Sequence, residues 1–436
     1  METVIQHAIQ LLTLDPLCDY CLGRQFARLG FGLTNKERGK ALKIALLLES
    51  IKQQNVELLR LLAERGGVEE AVEHLKKNNV MTEKQPCSLC GGILSEEKFR
   101  AMAESISTQT SQYEFATFLV GASVPPEVRE REDRLRSLAG IAEGEDLKND
   151  ITREVGRLLA INTGKKADYI SPDITIIVNM FTNTFRIFSN PLFIKGRYLK
   201  HSRNLPQSPW HCRKCWGRGC GECGFTGREY PTSVAELVGE PAKRMFDAEA
   251  FKFHAAGRED VDALVEGEGR PFVIELKRPR KRFIPLEEVE KTINSEAEGL
   301  VEVMLESLAS RRDVRALKLT SPTVGKTYIV KAIYDTDLDA SQLKKIEEVF
   351  RNIVIEQRTP TRVLGRRVDK VRRKMVYETE ASLVGSREAV YKIKCQGGLY
   401  VKELVIGDDG RTKPSFAEIL QTVPSKLELT VVSVET

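Results

Sequence analysis

Apolar positions recur at helical spacing through the first 63 residues and then give way to shorter, alternating runs. Ile5, Ile9 and Leu12 share one helix face, and Ala41 to Leu62 carries a second stripe. Between them, Leu17-Cys18-Asp19-Tyr20-Cys21-Leu22-Gly23-Arg24-Gln25-Phe26 breaks the pattern and reads as a loop. Residues 66–79 predict a short helix. From Phe99 to Phe193 the pattern is mixed: strands at Phe115–Val120, Thr175–Asn179 and Thr184–Ser189, and a helix near Asp150–Ile161. Pro191 to Tyr230, rich in Gly, Pro, Arg and Cys, reads as a knuckled linker. Beyond it strands dominate, among them Ala248–His254 and Pro271–Leu276, with Ala340–Arg351 the clearest helix.

A chain of 436 residues exceeds what one hydrophobic core usually serves, so about two to four domains are expected. Its 41% hydrophobic and 30% charged content suits a soluble protein. No apolar run approaches the roughly 18 residues of a membrane span. Met1-Glu2-Thr3-Val4 lacks the basic start and apolar stretch of a secretory signal, so a cytoplasmic protein without a membrane partner is expected, by default a monomer.

Net charge is only +5, but the basic residues are clustered. Lys277, Arg278, Arg280, Lys281 and Arg282 form one group; Arg358, Arg362, Arg366, Arg367, Lys370, Arg372, Arg373 and Lys374 form another. A third lies between Lys195 and Arg228 and includes Arg213, Lys214 and Arg218. Three such groups point to nucleic acid, where Lys and Arg displace phosphate counterions.

Eight of the nine cysteines form Cys-x-x-Cys pairs: Cys18/Cys21, Cys87/Cys90, Cys212/Cys215 and Cys220/Cys223. Without a secretion signal this spacing predicts metal thiolates rather than disulfides. Two such turns complete a closed, structural zinc site, so Cys18, Cys21, Cys87 and Cys90 form one expected site and the other four a second. The second set superficially resembles a zinc repeat of DnaJ-type chaperones. Cys395 reads as a small buried strand residue.

The candidate chemistry lies at Gly257-Arg258-Glu259-Asp260-Val261-Asp262, a Gly-led loop between two strands. Such a loop can present Asp260 as nucleophile, base or ligand. One reading is a metal-dependent nuclease, in which Asp262 and Glu275-Leu276-Lys277 would hold magnesium and assist water attack. It leaves Lys326-Thr327-Tyr328 and Gly398-Leu399-Tyr400-Val401-Lys402 unexplained.

Those segments, in this order, resemble the signature of pseudouridine synthases. The chain is similar over nearly its full length to the archaeal and eukaryotic tRNA pseudouridine synthases of the Pus-ten family. The resemblance is carried by Leu17–Cys21 with Arg24-Gln25-Phe26, Asn35-Lys36-Glu37-Arg38-Gly39, Cys87-x-x-Cys90 and Gly257–Asp262. It continues through Gly269-Arg270-Pro271-Phe272, Arg366-Arg367-Val368-Asp369, Gly398–Leu404 and Gly410-Arg411-Thr412-Lys413-Pro414-Ser415.

The resemblance implies an isomerase acting on uridines 54 and 55 of the tRNA T-arm, without a catalytic metal or small-molecule cofactor. Asp260 would be the catalytic aspartate, Tyr328 would stack on the extruded base, and Lys402 would pair with Asp260. Arg258, Arg213, Lys214, Arg218, Arg366 and Arg367 would contact RNA. The implied fold is α+β: an N-terminal zinc-knuckle and THUMP-like α/β accessory half, then a pseudouridine synthase domain with a mixed, largely antiparallel sheet. Expected boundaries are 1–95 for a helical zinc module and 60–200, interleaved with it, for a THUMP-like region. The cysteine-rich linker would span 205–228 and the catalytic domain 229–436. A THUMP-type binding protein without catalysis would not need the Asp260 constellation.

Overall fold

The computed structural model describes residues 3–320, 323–365 and 367–435. The chain divides into two compact units, Met1–Asn190 and Pro191–Thr436.

The first unit opens with helices Val4–Leu14, Asp19–Arg24, Asn35–Lys52, Val56–Glu64 and Glu69–Lys77. Capping boxes start two of them: Thr3 with Gln6, and Thr34 with Glu37, satisfy backbone N–H groups that the first turn leaves open. The expected loop at Leu17–Phe26 contains the short helix Asp19–Arg24. Tertiary packing holds that helix, because six residues cannot sustain one alone. Gly23 and Gly39 let the backbones of two helices touch: a Cβ on Gly23 would lie 1.8 Å from the Asn35 carbonyl oxygen, and one on Gly39 2.0 Å from that of Asp19. The stripe from 41 to 62 is two helices, because Gln54 turns left-handed at φ 52° and Asn55 caps the next helix through Leu58 N–H.

Helices Glu96–Thr110 and Pro126–Ala139 were not expected from the apolar pattern. The second is mostly charged and buries only Glu132, Leu135 and Ala139, so its periodicity is faint. Helix Leu147–Thr163 and a four-stranded sheet complete the unit. The sheet holds β1 (Thr117–Ala122), β2 (Lys166–Ala167), β3 (Ile174–Asn179) and β4 (Thr184–Ser189), in the order β2-β1-β3-β4. β1 runs parallel to β2 and β3, and β3–β4 is an antiparallel hairpin. Phe118, Ile174, Ile176 and Val178 share one core with Ile151, Val155 and Leu159.

Among the described residues the second unit is built on ten strands: β5 (Leu192–Lys200), β6 (Ala250–Ala255), β7 (Leu264–Lys277), β8 (Val301–Ala309), β9 (Gly325–Ile333), β10 (Ile353–Arg358), β11 (Val371–Gly385), β12 (Glu388–Gln396), β13 (Thr412–Lys413) and β14 (Lys426–Val434). Their order is β13-β10-β11-β12-β9-β14-β7-β5-β8, with β6 also on β7. The β7–β14 pairing is parallel, through Thr430 opposite Leu264 and Val431 opposite Val265. The other pairings are antiparallel. The sheet is thus mixed and largely antiparallel. The expected linker begins with a full strand, β5, set between β7 and β8.

Two hydrophobic cores flank β14. One gathers Tyr198, Phe272 and Val303 with Val431 and Val434; the other gathers Val330, Tyr391 and Phe416 with Leu429. Tyr328 packs against both. Among the described residues, no helix is long and apolar enough to cross a membrane.

Gly23→Ala should lower the stability of the first unit by on the order of 3 kcal/mol, since an added methyl meets rigid backbone. Denaturant unfolding checks this. The same change at Gly92, where a Cβ would meet nothing within 4 Å but φ is +79°, should cost clearly less.

Candidate active site and metal centres

Asp260 lies on the loop joining β6 to β7, with its side chain 29% exposed. Gly257 enters that loop at φ +83°, a conformation that excludes most side chains. Below the loop is a buried polar cluster. The Glu259 and Arg270 side chains, each 0% exposed, approach to 2.9 Å. The contact is held by charge rather than by an aligned hydrogen bond, since Arg270 Nε and Nη2 lack a well-directed acceptor. The Tyr198 hydroxyl donates to Glu259, and Gln207 Nε2 donates to Glu259 and to the Gly257 carbonyl. Arg270 Nη1 donates to Ala256 O at 2.7 Å.

Lys200 closes the cluster. Its ammonium is buried and donates to three carbonyl oxygens: Leu205 and Val261 at 2.8 Å, and Asp260 at 3.3 Å. An ammonium has three N–H groups, so this set uses all of them. Burial draws the Lys200 pKa down to about 8, against the opposing pull of the Glu259 and Asp262 carboxylates. Lys326, which donates to Ala256 O at 3.4 Å, is likewise lowered to about 8, first by burial and then by Arg270.

Above the loop two cations meet the carboxylates. Arg362 Nη1 lies 2.9 Å from Asp260 Oδ1, while its Nε reaches the buried Glu403 at 2.6 Å. Lys402, in the first turn of helix Val401–Ile406, is 3.7 Å from Asp260 Oδ2 but 2.7 Å from Asp262. The expected Asp260–Lys402 pair is therefore the longer contact, and Arg362 is the closer partner. Burial first, then Cys395 and the Glu259 and Asp260 carboxylates against the opposing pull of Arg270, pushes the Tyr328 hydroxyl well above the usual tyrosine range, so the ring is neutral.

The acids of the nuclease reading are dispersed. Glu275 lies opposite Phe193 on β5 and Val265 opposite Lys200, a span of roughly 23 Å at about 3.3 Å per residue. Glu275 instead bonds His254 at 3.0 Å, and Asp262 is held by Lys402. Among the described residues only the two cysteine sets form metal-capable groups.

Arg258 is exposed and reaches Ser208 Oγ at 2.5 Å. Arg213 pairs with Glu229 at 2.8 Å and Lys214 with Glu222; Arg218 is in no ion pair among the described residues. Arg367 donates to the Tyr400 hydroxyl at 3.2 Å. Arg366 lies outside the described residues. Sequence reading missed Lys200, Gln207 and Tyr198, named Arg270 only within a family motif, and saw Arg362 only as part of a basic cluster. The available signal was Arg270 standing directly before the apolar run Pro271–Ile274.

In each cysteine set the sulfurs lie within 4.8 Å of one another. Cys18 and Cys90 are 3.6 Å apart, and the second set has contacts of 3.7 and 3.9 Å. Four sulfurs bound tetrahedrally at about 2.3 Å stand about 3.8 Å apart, so either set can hold a metal ion. All nine cysteines are free of disulfides.

Residues 102–179 match the family described as Pus10 THUMP domain, archaeal, and residues 193–435 the family described as Pus10, C-terminal. The class so defined is a THUMP domain joined to a pseudouridine synthase domain. Three curated proteins, each called tRNA pseudouridine synthase Pus10, are similar over nearly the whole chain. Identity is 41% over 434 residues in Thermofilum pendens, covering 98% of this chain and 95% of that protein. It is 38% over 434 residues in Methanothrix thermoacetophila, covering 99% and 94%. In Methanopyrus kandleri it is 40% over 411 residues, covering 93% and 92%. This chain belongs to the Pus10 family.

The Lys200 anchor predicts opposite responses of stability and turnover to alkali. Between pH 8 and about 10.4 the unfolded chain keeps a lysine proton that the folded chain has released, so stability rises with pH in that window. Turnover should instead fall from pH 8 to 9, because a neutral amine donates only two of the three loop bonds. Lys200→Arg should weaken that fall. Flat turnover up to pH 9 in the unaltered protein would contradict the anchor's role.

Proposed function

We propose that this protein isomerises uridine to pseudouridine in tRNA, with Asp260 as the catalytic residue, at position 54, 55 or both of the T-arm. The observation that carries this reading is the Asp260 carboxylate itself. It is partly exposed above a rigid, buried polar cluster and held between Arg362 and Lys402.

The reaction is balanced without a cofactor. The bond from ribose C1′ to uracil N1 breaks, the base turns, and C1′ rejoins at C5; the C5 proton leaves and N1 gains one. Asp260 begins it, as nucleophile or as base at the ribose. Tyr328, neutral and lodged between the two cores, supplies a face for the extruded base. Arg362 and Lys402 balance the charge on Asp260 as it changes. The target base is normally stacked, so it must be turned out into this site. Arg258, Arg213, Lys214, Arg218, Arg366 and Arg367 would then serve RNA phosphates, and the THUMP-like region of about residues 60–200 would hold the tRNA away from the reacting base. The cysteine sets would hold zinc as closed structural sites, with no position left for substrate.

Asp260→Asn should keep tRNA binding but cut pseudouridine formation by several orders of magnitude, about the loss expected for an essential catalytic group. Base mapping of unmodified tRNA after incubation checks this. Glu275→Ala and Lys277→Ala should leave the reaction largely intact. Strand scission that needs Glu275 would restore the nuclease reading; binding with no base change in the unaltered protein would favour a binding module.

Purified protein should contain about two zinc ions per chain by elemental analysis. Cys87→Ser should lose one of them and destabilise the first unit by several kcal/mol, since structural zinc contributes directly to folding. Retention of both ions would refute the first site.

A further inference from the structure

Three Cys-x-x-Cys turns in this chain are followed by a residue with positive φ. After Cys90 it is Gly91, at +58°, and after Cys223 it is Gly224, at +57°. After Cys215 the same place, at +53°, is taken by Trp216. A left-handed backbone suits glycine and is unusual for a bulky side chain. Fold alone would therefore put glycine there, as it does in the other two turns. The indole is also not used for packing: Trp216 is 80% exposed, as is Phe225, which sits nearby in sequence at φ +61°. The other tryptophan, Trp210, packs edge-on against Tyr230.

The surroundings narrow what such a ring meets. Its neighbours are glycines and bases: Gly217 and Gly219 hold the turn open, and the charged residues from 211 to 228 are Arg213, Lys214, Arg218, Glu222 and Arg228. Arg218 has no ion pair among the described residues and hydrogen-bonds Cys215 O through its backbone N–H. An apolar protein partner would need a wider apolar core than two aromatic rings provide. An exposed π face in a segment rich in arginine fits an unpaired nucleobase with its phosphate.

We propose that Trp216, with the equally exposed Phe225 of the same cysteine turn region, is a stacking platform for an unpaired base of the RNA substrate, and that Arg218 holds the adjoining phosphate. The proposal rests on the reading of this chain as a tRNA-modifying enzyme. It adds a contact with a single-stranded nucleotide separate from the Asp260 site.

The test uses the full-length protein with its metal content verified. In a Trp210→Phe variant Trp216 is the only indole, so its fluorescence reports on stacking. Unmodified tRNA should quench it, and Trp216→Ala should weaken tRNA binding about 5- to 150-fold, the range for loss of one stacked base. Trp216→Phe, which restores a ring, should recover most of that loss. Blunt duplex RNA, which has no unpaired base, should neither quench the indole nor distinguish Trp216→Ala from the unaltered protein. Equal losses on tRNA and blunt duplex would overturn the proposal. So would unchanged affinity and fluorescence, or a dimer in sedimentation that Trp216→Ala dissociates. These outcomes are separate from failure of the function itself, which would appear as absence of pseudouridine formation by the unaltered protein.

Discussion

The Asp260 loop depends on the buried pair of Glu259 and Arg270. Removing either would leave a charge stranded away from water, which costs about 3–5 kcal/mol when one member of a buried pair is lost. Tyr198 and Gln207 donate to the Glu259 carboxylate and the Ala256 carbonyl accepts from Arg270 Nη1, while Arg270 Nε and Nη2 face Glu259 through charge alone. The next residue in the chain is Asp260. Glu259 is wholly buried while the Asp260 side chain stays 29% exposed, so the two neighbours face different surroundings. Lys200 then fixes the backbone itself through the Asp260 and Val261 carbonyls. The upper carboxylate is left with two cations and partial access to solvent.

The first unit uses the same device for a different purpose. Arg24 is fully buried and meets Glu132 at 2.7 Å, Asp150 at 3.4 Å and the Cys21 sulfur at 3.5 Å. Glu132 and Asp150 come from two later helices, so one guanidinium ties the cysteine turn to both. Lys43 adds a second tie, from Asp19 to the Gly66 carbonyl. In both units a buried cation joins segments far apart in the chain, and in both it lies within or beside the motifs that carry the family resemblance.

The parts legible in the sequence were those whose geometry is local. Cys-x-x-Cys spacing fixes a turn, and a Gly-led loop between apolar runs fixes the place of Asp260. The hairpin strand β4 was found to the residue. β5 was hidden because its polar positions are functional: Lys200 is a buried loop anchor, and Gly196 is small because a Cβ there would come within 2.4 Å of the Met304 carbonyl oxygen. Arg362 lies 102 residues from Asp260. No periodicity connects them, so only the sheet could reveal that they meet. The charged helix Pro126–Ala139 was missed for a related reason: its buried Glu132 is an ion-pair partner, and it breaks the apolar stripe that marks a packed helix.

β14 has a consequence for the order in which the molecule is made. It is last in chain order among the ten strands, yet it lies between β9 and β7 and contributes to both cores. Until residues 426–434 have been synthesised, the strands on either side have no template through which to join. The nascent chain must therefore hold two half-sheets with open edges, one leading into the Asp260 loop and the other carrying Lys402. Open edges are where chains mispair. The Asp260 cluster is assembled across this seam, so a ribosome that stalls before the closing strand would release protein with Asp260, Arg362 and Lys402 present but not brought together.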